Sequence, residues 1–184
     1  MIITGPSVSG KSTLHCCLSV ERNFLPVPVH TTRSPRYGEV PGIDAIFVSE
    51  DEYFKNHDRG IYIEESPDVG FFANAYYGSP KSWIASAEYG IIGCYVSPTI
   101  RVARIVKERS DGRVIWIHLD ANETVRRRRL AQRSPESDKT SIQARIHSAP
   151  PRSEVMDCDM YLDTSYLSAG DIIRRVNGYL NSVE

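Results

Sequence analysis

At 184 residues, with 41% hydrophobic and 24% charged side chains, the chain is sized and balanced for one globular domain carrying small inserts. Its formal net charge of −1 excludes the strongly basic surface expected of a protein that wraps nucleic acid or coats a membrane. No apolar stretch reaches the length of a membrane span, the first strand begins at once and leaves no room for a secretory leader, and the four cysteines (Cys16, Cys17, Cys94, Cys158) lack paired metal spacing, which together predict reduced thiols in a cytoplasmic protein.

Met1 to Thr4 reads as a short apolar strand, followed by Gly5-Pro6-Ser7-Val8-Ser9-Gly10-Lys11-Ser12-Thr13 and a helix from about Lys11 to Arg22 with Leu14, Cys17 and Leu18 on one face. Leu25 to Val29, interrupted by Pro26 and Pro28, is at best an edge-like extended segment, and residues 31–43, rich in Pro, Gly and Arg, read as an ordered loop. Ser49-x-x-Glu52 has the form of a capping box and predicts a short helix through Tyr53 and Phe54. Ile61-Tyr62-Ile63 and the Phe71 to Tyr77 region read as short strands, and Pro80 opens a helix through Ala87. Ile91 to Val96 and Val114 to Leu119 are apolar on both faces, as strands of a covered parallel sheet are, with Pro98 to Glu108 as the crossover helix between them. Asn122 to Arg133 is the next helix, residues 134–139 are turn-like, and a further helix reaches Ala149 before Pro150-Pro151 stops it. Met160 to Leu162 is the last strand, and Ser168-x-x-Asp171 caps a final helix with Ile172, Ile173, Val176, Tyr179 and Leu180 in one stripe. The alternation predicts an α/β core with inserts, whose ligands sit beyond the carboxyl ends of the strands.

The Gly5–Thr13 segment is a G-x-x-x-x-G-K-[ST] loop between a strand and a helix. Its glycines let successive N–H groups converge on phosphate oxygens, the helix adds its positive end, Lys11 reaches the outer phosphates and the Ser12 hydroxyl ligates Mg²⁺. A bound nucleoside triphosphate is the expectation, with Gly5, Pro6, Ser7, Val8, Ser9, Gly10, Lys11, Ser12 and Thr13 as its cradle. A second constellation, Thr31-Thr32-Arg33-Ser34-Pro35-Arg36, sets two guanidinium forks on a stiffened loop, a geometry that holds a dianionic monophosphate. Arg126 to Arg129 are four successive helical positions that fan around the axis, so one or two can point inward, Arg129 being the expected one.

These segments, together with Gly38-Glu39-Val40, Gly42-Ile43-Asp44, Phe47-Val48-Ser49, Tyr76-Tyr77-Gly78-Ser79, Arg129-Leu130 with Arg133, and Arg145-Ile146, resemble guanylate kinase in order and approximate spacing over nearly the whole chain. The resemblance implies a P-loop nucleoside-monophosphate-kinase fold: a parallel β-sheet core flanked by helices in a single domain over residues 1–184. The core would be 1–29 and 83–184, the monophosphate-binding insert 30–82 and the lid 130–143. It further implies ATP as co-substrate, Mg²⁺ as cofactor, a nucleoside or sugar monophosphate as acceptor, no nucleic-acid polymer or membrane partner, and a monomer or homodimer. Residue by residue, it assigns the acceptor phosphate to Arg33, Arg36 and Tyr77, a place near the base to Ser79, guanine reading to Glu64 or its neighbour Glu65, and lid or hinge roles to Arg129, Arg133 and Arg145. Lys11, Arg33, Arg129, Arg133 and Arg145 are then the catalytic set.

The chain departs from that pattern on the acceptor side. Val29 and His30 stand where the family has a serine, Ala45 replaces a phosphate-binding tyrosine, and Gly93-Cys94-Tyr95-Val96-Ser97-Pro98 replaces D-x-D-x-x-G, so both carboxylates are missing. Phosphoryl transfer needs positioning and charge, which survive, whereas base reading is eroded. The primary expectation is phosphorylation of GMP or dGMP, or of a modified nucleotide. A kinase of ribose bisphosphate and a non-catalytic guanylate-kinase-like interaction module are the alternatives, the latter opposed by the intact phosphate loop.

Overall fold

The computed structural model of the chain describes residues 1–64, 70–88, 93–96, 99–111, 113–133, 139–147 and 149–183. Strand β1 (Ile2–Thr4) leads through the glycine loop into helix α1 (Lys11–Glu21), and β2 (Leu25–Pro26) follows. An inserted region contains β3 (His30–Thr31), β4 (Ile46–Phe47), α2 (Glu50–Asp58), β5 (Phe71–Phe72) and β6 (Ala75–Gly78). The chain returns through α3 (Ser82–Glu88), β7 (Gly93–Val96), α4 (Ile100–Arg109) and β8 (Trp116–Asp120). It ends with α5 (Glu123–Arg133), α6 (Lys139–His147), a 3₁₀ turn at Arg152–Val155, β9 (Met160–Asp163) and α7 (Ala169–Val183).

The core is a five-stranded sheet in the order β2-β7-β1-β8-β9, parallel throughout. Because side chains alternate across a strand, adjacent residues feed opposite faces. Ile2 and Trp116 pack with Val102, Ala103 and Val106 of α4 on one face. Ile3 and Ile117 pack with Leu14 and Leu18 of α1 and with Ile172, Val176 and Leu180 of α7 on the other. Burial on both faces accounts for the mostly apolar β8, whose Trp116, Ile117 and Leu119 are all buried. Polar atoms at the top of the sheet are paired: the buried Trp116 indole N–H donates to Thr4 Oγ1 at 2.7 Å, and His118 Nδ1 lies 2.8 Å from the same oxygen. Burial, against the attraction of Asp120 and with a smaller contribution from Lys11, holds His118 down to about 4, so its ring is neutral.

The insert carries its own four-stranded sheet, β4-β3-β6-β5, with β3 and β4 parallel and β6 antiparallel to β3 and β5. Its core is aromatic: fully buried Tyr53 of α2 stacks on Tyr62 and Tyr76 with ring centroids 5.0 and 5.1 Å apart. The Ser49 side chain caps α2 by accepting the Glu52 N–H at 3.1 Å, as the capping box implies. Two expectations need correction. Thr31 belongs to a strand rather than to the loop, because it pairs with both Phe47 and Tyr77. Ile61 to Ile63 forms a single bridge, Tyr62 to Pro80, instead of a strand: the Ile63 N–H donates to the Ser79 carbonyl and the Lys81 N–H to the Ile61 carbonyl, both at 2.8 Å, before the chain turns into α3 at Ser82. The expected starts at Ile91 and Pro98 and the turn at residues 134–138 lie outside the described residues, and with that turn the middle of the expected 130–143 lid.

At Gly78 of β6 a Cβ would lie 2.6 Å from the Tyr62 ring. Gly78→Ala is expected to destabilise the protein by about 1–3 kcal/mol in denaturant titration. Gly178→Ala, in open space on α7, is expected to stabilise it by about 0.5–1 kcal/mol through lower unfolded-state entropy.

Candidate functional site

The phosphate loop curls over the carboxyl end of β1. Gly5 has φ 144° and Gly10 φ 105°, and a Cβ on Gly5 would sit 2.0 Å from the Leu119 carbonyl, so no other residue fits there. Val8 also has positive φ, at 59°, in a region that β-branched residues rarely enter, which concentrates backbone strain in this loop. Lys11 Nζ donates to the carbonyls of Gly5 and Pro6 at 2.7 and 2.8 Å, and Ser12 is exposed at the start of α1. Burial and then the charges of Arg133, Arg36 and Arg126 hold Lys11 down to about 7. Crowded cations of this kind are relieved by a polyanion, so the loop's donors and hydroxyls fit a triphosphate and its metal ion.

Facing the loop across a cavity of about 790 Å³ is the Arg33–Arg36 segment. The Glu39 carboxylate ties it together, accepting from Arg33 Nη1 and Nη2 at 2.6 and 2.9 Å, from the Arg36 N–H at 2.8 Å and from Arg36 Nη1 at 3.4 Å. Burial alone would raise the Glu39 pKa, but these bonds, led by those from Arg33, hold it below its ordinary value. Arg33 also lies over the Phe47 ring at 5.4 Å, and Tyr77 interacts with both arginines. Burial and the adjacent Arg33 charge bring Arg36 down to about 10. Glu39 is the organising residue that sequence reasoning left out of the site; its place three residues after Arg36 was the available signal.

Gly5, Pro6, Ser7, Val8, Gly10, Lys11, Ser12 and Thr13 line the cavity, as do Arg33, Arg36, Tyr77, Arg129, Arg133 and Arg145. Ser9 is buried within the loop, and its Oγ has no hydrogen-bond partner among the described residues. Arg129 faces inward as expected and joins the loop to the sheet: its Nη1 donates to the Val8 carbonyl and Thr164 Oγ1 at 3.2 and 3.1 Å, and its Nη2 to the Thr164 carbonyl at 2.7 Å. Arg126, the buried member of the run, braces α5 to α6 instead, donating to the carbonyls of Ala121, Arg145 and Ile146. Glu64 and Ser79 come together but do not line the cavity. The buried Glu64 carboxylate accepts the Ser79 N–H at 2.8 Å and its hydroxyl at 2.7 Å. Glu65, Ser97 and Pro98 lie outside the described residues, as does the side chain of Tyr95. His15, Asp44 and Ala45 also line the cavity.

A family model described as guanylate kinase matches residues 1–180. The chain belongs to the guanylate kinase family. The guanylate kinase of Geobacter metallireducens is 32% identical over 184 residues, covering 99% of this chain and 85% of that protein. The guanylate kinase of Chlamydia trachomatis serovar D is 29% identical over 178 residues, covering 95% of this chain and 84% of its own. Among solved structures, a guanylate kinase from Anaplasma phagocytophilum superposes with a TM-score of 0.65 at 18% identity, over 98% of this chain and 83% of that one. A gluconokinase from Sinorhizobium meliloti gives 0.54 at 14% identity, over 99% and 91%. At those identities the structural likeness establishes the shared P-loop kinase fold.

The Glu39 clamp has a pH signature. Its folded-state pKa is depressed, so its contribution is present above the ordinary value of 4.5 and is lost as pH falls through the lower folded value. At neutral pH, Glu39→Gln is expected to cost about 1–3 kcal/mol. In denaturation series from pH 7 downward, that deficit should shrink below pH 4.5, as the wild-type carboxylate is itself protonated.

Proposed function

We propose that this protein transfers the terminal phosphoryl group of ATP, with Mg²⁺, to the phosphate of a nucleoside monophosphate, GMP or dGMP being the acceptor. The observation that carries this reading is that two phosphate-binding sets, Lys11 with the loop amides and Arg33 with Arg36 and Tyr77, face one another across one cavity. The names of the relatives point the same way. Lys11, Arg129, Arg133 and Arg145 stabilise charge on the transferring group, and Glu39 keeps the acceptor arginines oriented before substrate arrives. A bound Mg²⁺ would be held by Ser12 and would neutralise charge on the phosphates. The acceptor phosphate is already an anion, so no general base is required.

In this reading, residues 30–82 form the monophosphate-binding insert and residues 130–143 the lid, whose closure brings the α5 and α6 arginines over the phosphates. Free cysteines and the lack, among the described residues, of any helix long and apolar enough to cross a membrane support a cytoplasmic setting. The absence of carboxylates from Gly93–Val96 favours a second reading of the acceptor, as a modified nucleotide or a ribose bisphosphate.

Lys11→Ala is expected to abolish ATP turnover while leaving the circular dichroism spectrum and melting transition in place. Arg36→Ala is expected to raise the acceptor KM or lower kcat by about tenfold or more, with KM for ATP unchanged. Full activity of the Lys11 variant would overturn the phosphate-loop mechanism, and an unaltered Arg36 variant would overturn the acceptor assignment.

A further inference from the structure

Arg126 is 4% exposed, yet it does not line the cavity that Arg129, Arg133 and Arg145 border. A guanidinium keeps its charge at any ordinary pH, so burying one is costly unless its donors find partners. Here the partners are main-chain carbonyls: Nε donates to Ala121 at 3.0 Å, Nη2 to Ile146 at 2.8 Å and Nη1, more weakly, to Arg145 at 3.4 Å.

The sequence after α6 explains why those carbonyls need a side-chain donor. The last carbonyls of a helix have no intrahelical N–H, and the donor that a continuing helix would bring to Ile146 belongs to residue 150. Residue 150 is proline, as is residue 151, and neither has an N–H to give. Ile146 is itself buried, which shuts out water as the alternative partner. The Arg126 guanidinium supplies the missing donor and sets a positive charge at the negative end of α6. Arg145 directly precedes Ile146, so these bonds fix the main chain from which a cavity-lining arginine extends. The third bond, to Ala121, anchors the same guanidinium to the residue that follows β8, the strand beside β1 in the sheet. One buried side chain therefore ties the Arg145 main chain to the end of the sheet that carries the phosphate loop.

We propose that Arg126 is a positioning residue: it pins the end of α6 against the end of β8 and so holds Arg145 at the transferring phosphoryl group. This rests on the phosphoryl-transfer reading above and on the role given there to Arg145. An apolar side chain of similar length would fill the space but leave the Ile146 carbonyl without its donor and the main chain at Arg145 unpinned. Displacement of a charge-stabilising group by about 1 Å is enough to cost on the order of 100-fold in rate. Because Arg145 acts on the transferring group, the effect falls on kcat. The phosphate loop and the Arg33–Arg36 segment, which bind the two substrates, are left as they are.

Steady-state kinetics with ATP, Mg²⁺ and GMP on wild type, Arg126→Met, Arg126→Lys, Arg145→Met and the Arg126→Met/Arg145→Met double variant test this. Circular dichroism would first confirm that each is folded at the assay temperature. Arg126→Met should lower kcat by about tenfold or more while both KM values stay within about twofold. Arg126→Lys, which keeps the charge and a donor, should recover part of that loss. The double variant should be no more than about twofold slower than Arg145→Met alone, because two residues that act as one unit do not add. Should Arg126→Met fail to fold, the same cycle is run with Arg126→Lys, whose smaller loss should likewise vanish in the Arg145→Met background. Losses that add, a loss expressed in either KM instead of kcat, or wild-type kcat in Arg126→Met would overturn the proposal. A fully active Arg145→Met would overturn it too, and each of these results spares the phosphoryl-transfer reading. Wild-type protein with no turnover would remove both.

Discussion

Everything about this fold is arranged to hold positive charge at one end of a parallel sheet. Lys11, Arg33, Arg36, Arg129, Arg133 and Arg145 all border one cavity, and burial, followed by the charges of Arg133, Arg36 and Arg126, holds Lys11 down to about 7. Such a cluster is costly to fold around unless carbonyls, carboxylates or ligands satisfy its donors. The protein uses the first two routes directly: carbonyls of Gly5 and Pro6 for Lys11, and the Glu39 carboxylate for Arg33 and Arg36; in the proposed reaction, phosphates serve the rest.

Holding that charge requires a rigid base. The two faces of the sheet are packed by α1 and α7 on one side and α4 on the other, and the polar ends of β1 and β8 are closed by the Thr4, Trp116 and His118 contacts. Thr164 and Arg129 then join the loop to the ends of β8 and β9: the Thr164 hydroxyl bonds the Ser9 carbonyl at 2.8 Å while Arg129 takes the Val8 carbonyl. These bonds fix a loop containing a strained Val8, which is where pre-organisation for phosphate is stored.

Most of the architecture was legible because long elements carry periodic signals. The β7 and β8 runs, the stripe on α7, the capping box at Ser49 and the glycine loop each had a local physical cause visible in the residues. The two-residue strands β3 and β4 did not, since two residues hold no period and their pairing is decided by partners far along the chain. Within the site, four consecutive arginines concealed which one reaches the cavity and which is buried; helical geometry pointed to Arg129 but could not separate the buried Arg126, whose partners are carbonyls of α6 and the loop before α5. Glu39 was read only as part of a motif, though its carboxylate organises both Arg33 and Arg36. His15 was hidden between Leu14 and Leu18, where a helix pattern suggests core rather than cavity.

The central claim is that two phosphates meet in this cavity and that one is carried by a guanine nucleotide. The most direct measurement is ADP release coupled to oxidation of a nicotinamide reporter, with purified protein, ATP and Mg²⁺, across GMP, dGMP, IMP, AMP, pyrimidine nucleoside monophosphates and ribose phosphates. The account predicts turnover that is highest with GMP or dGMP and absent without an acceptor. Comparable turnover with ribose phosphates, or none with any monophosphate, would contradict it.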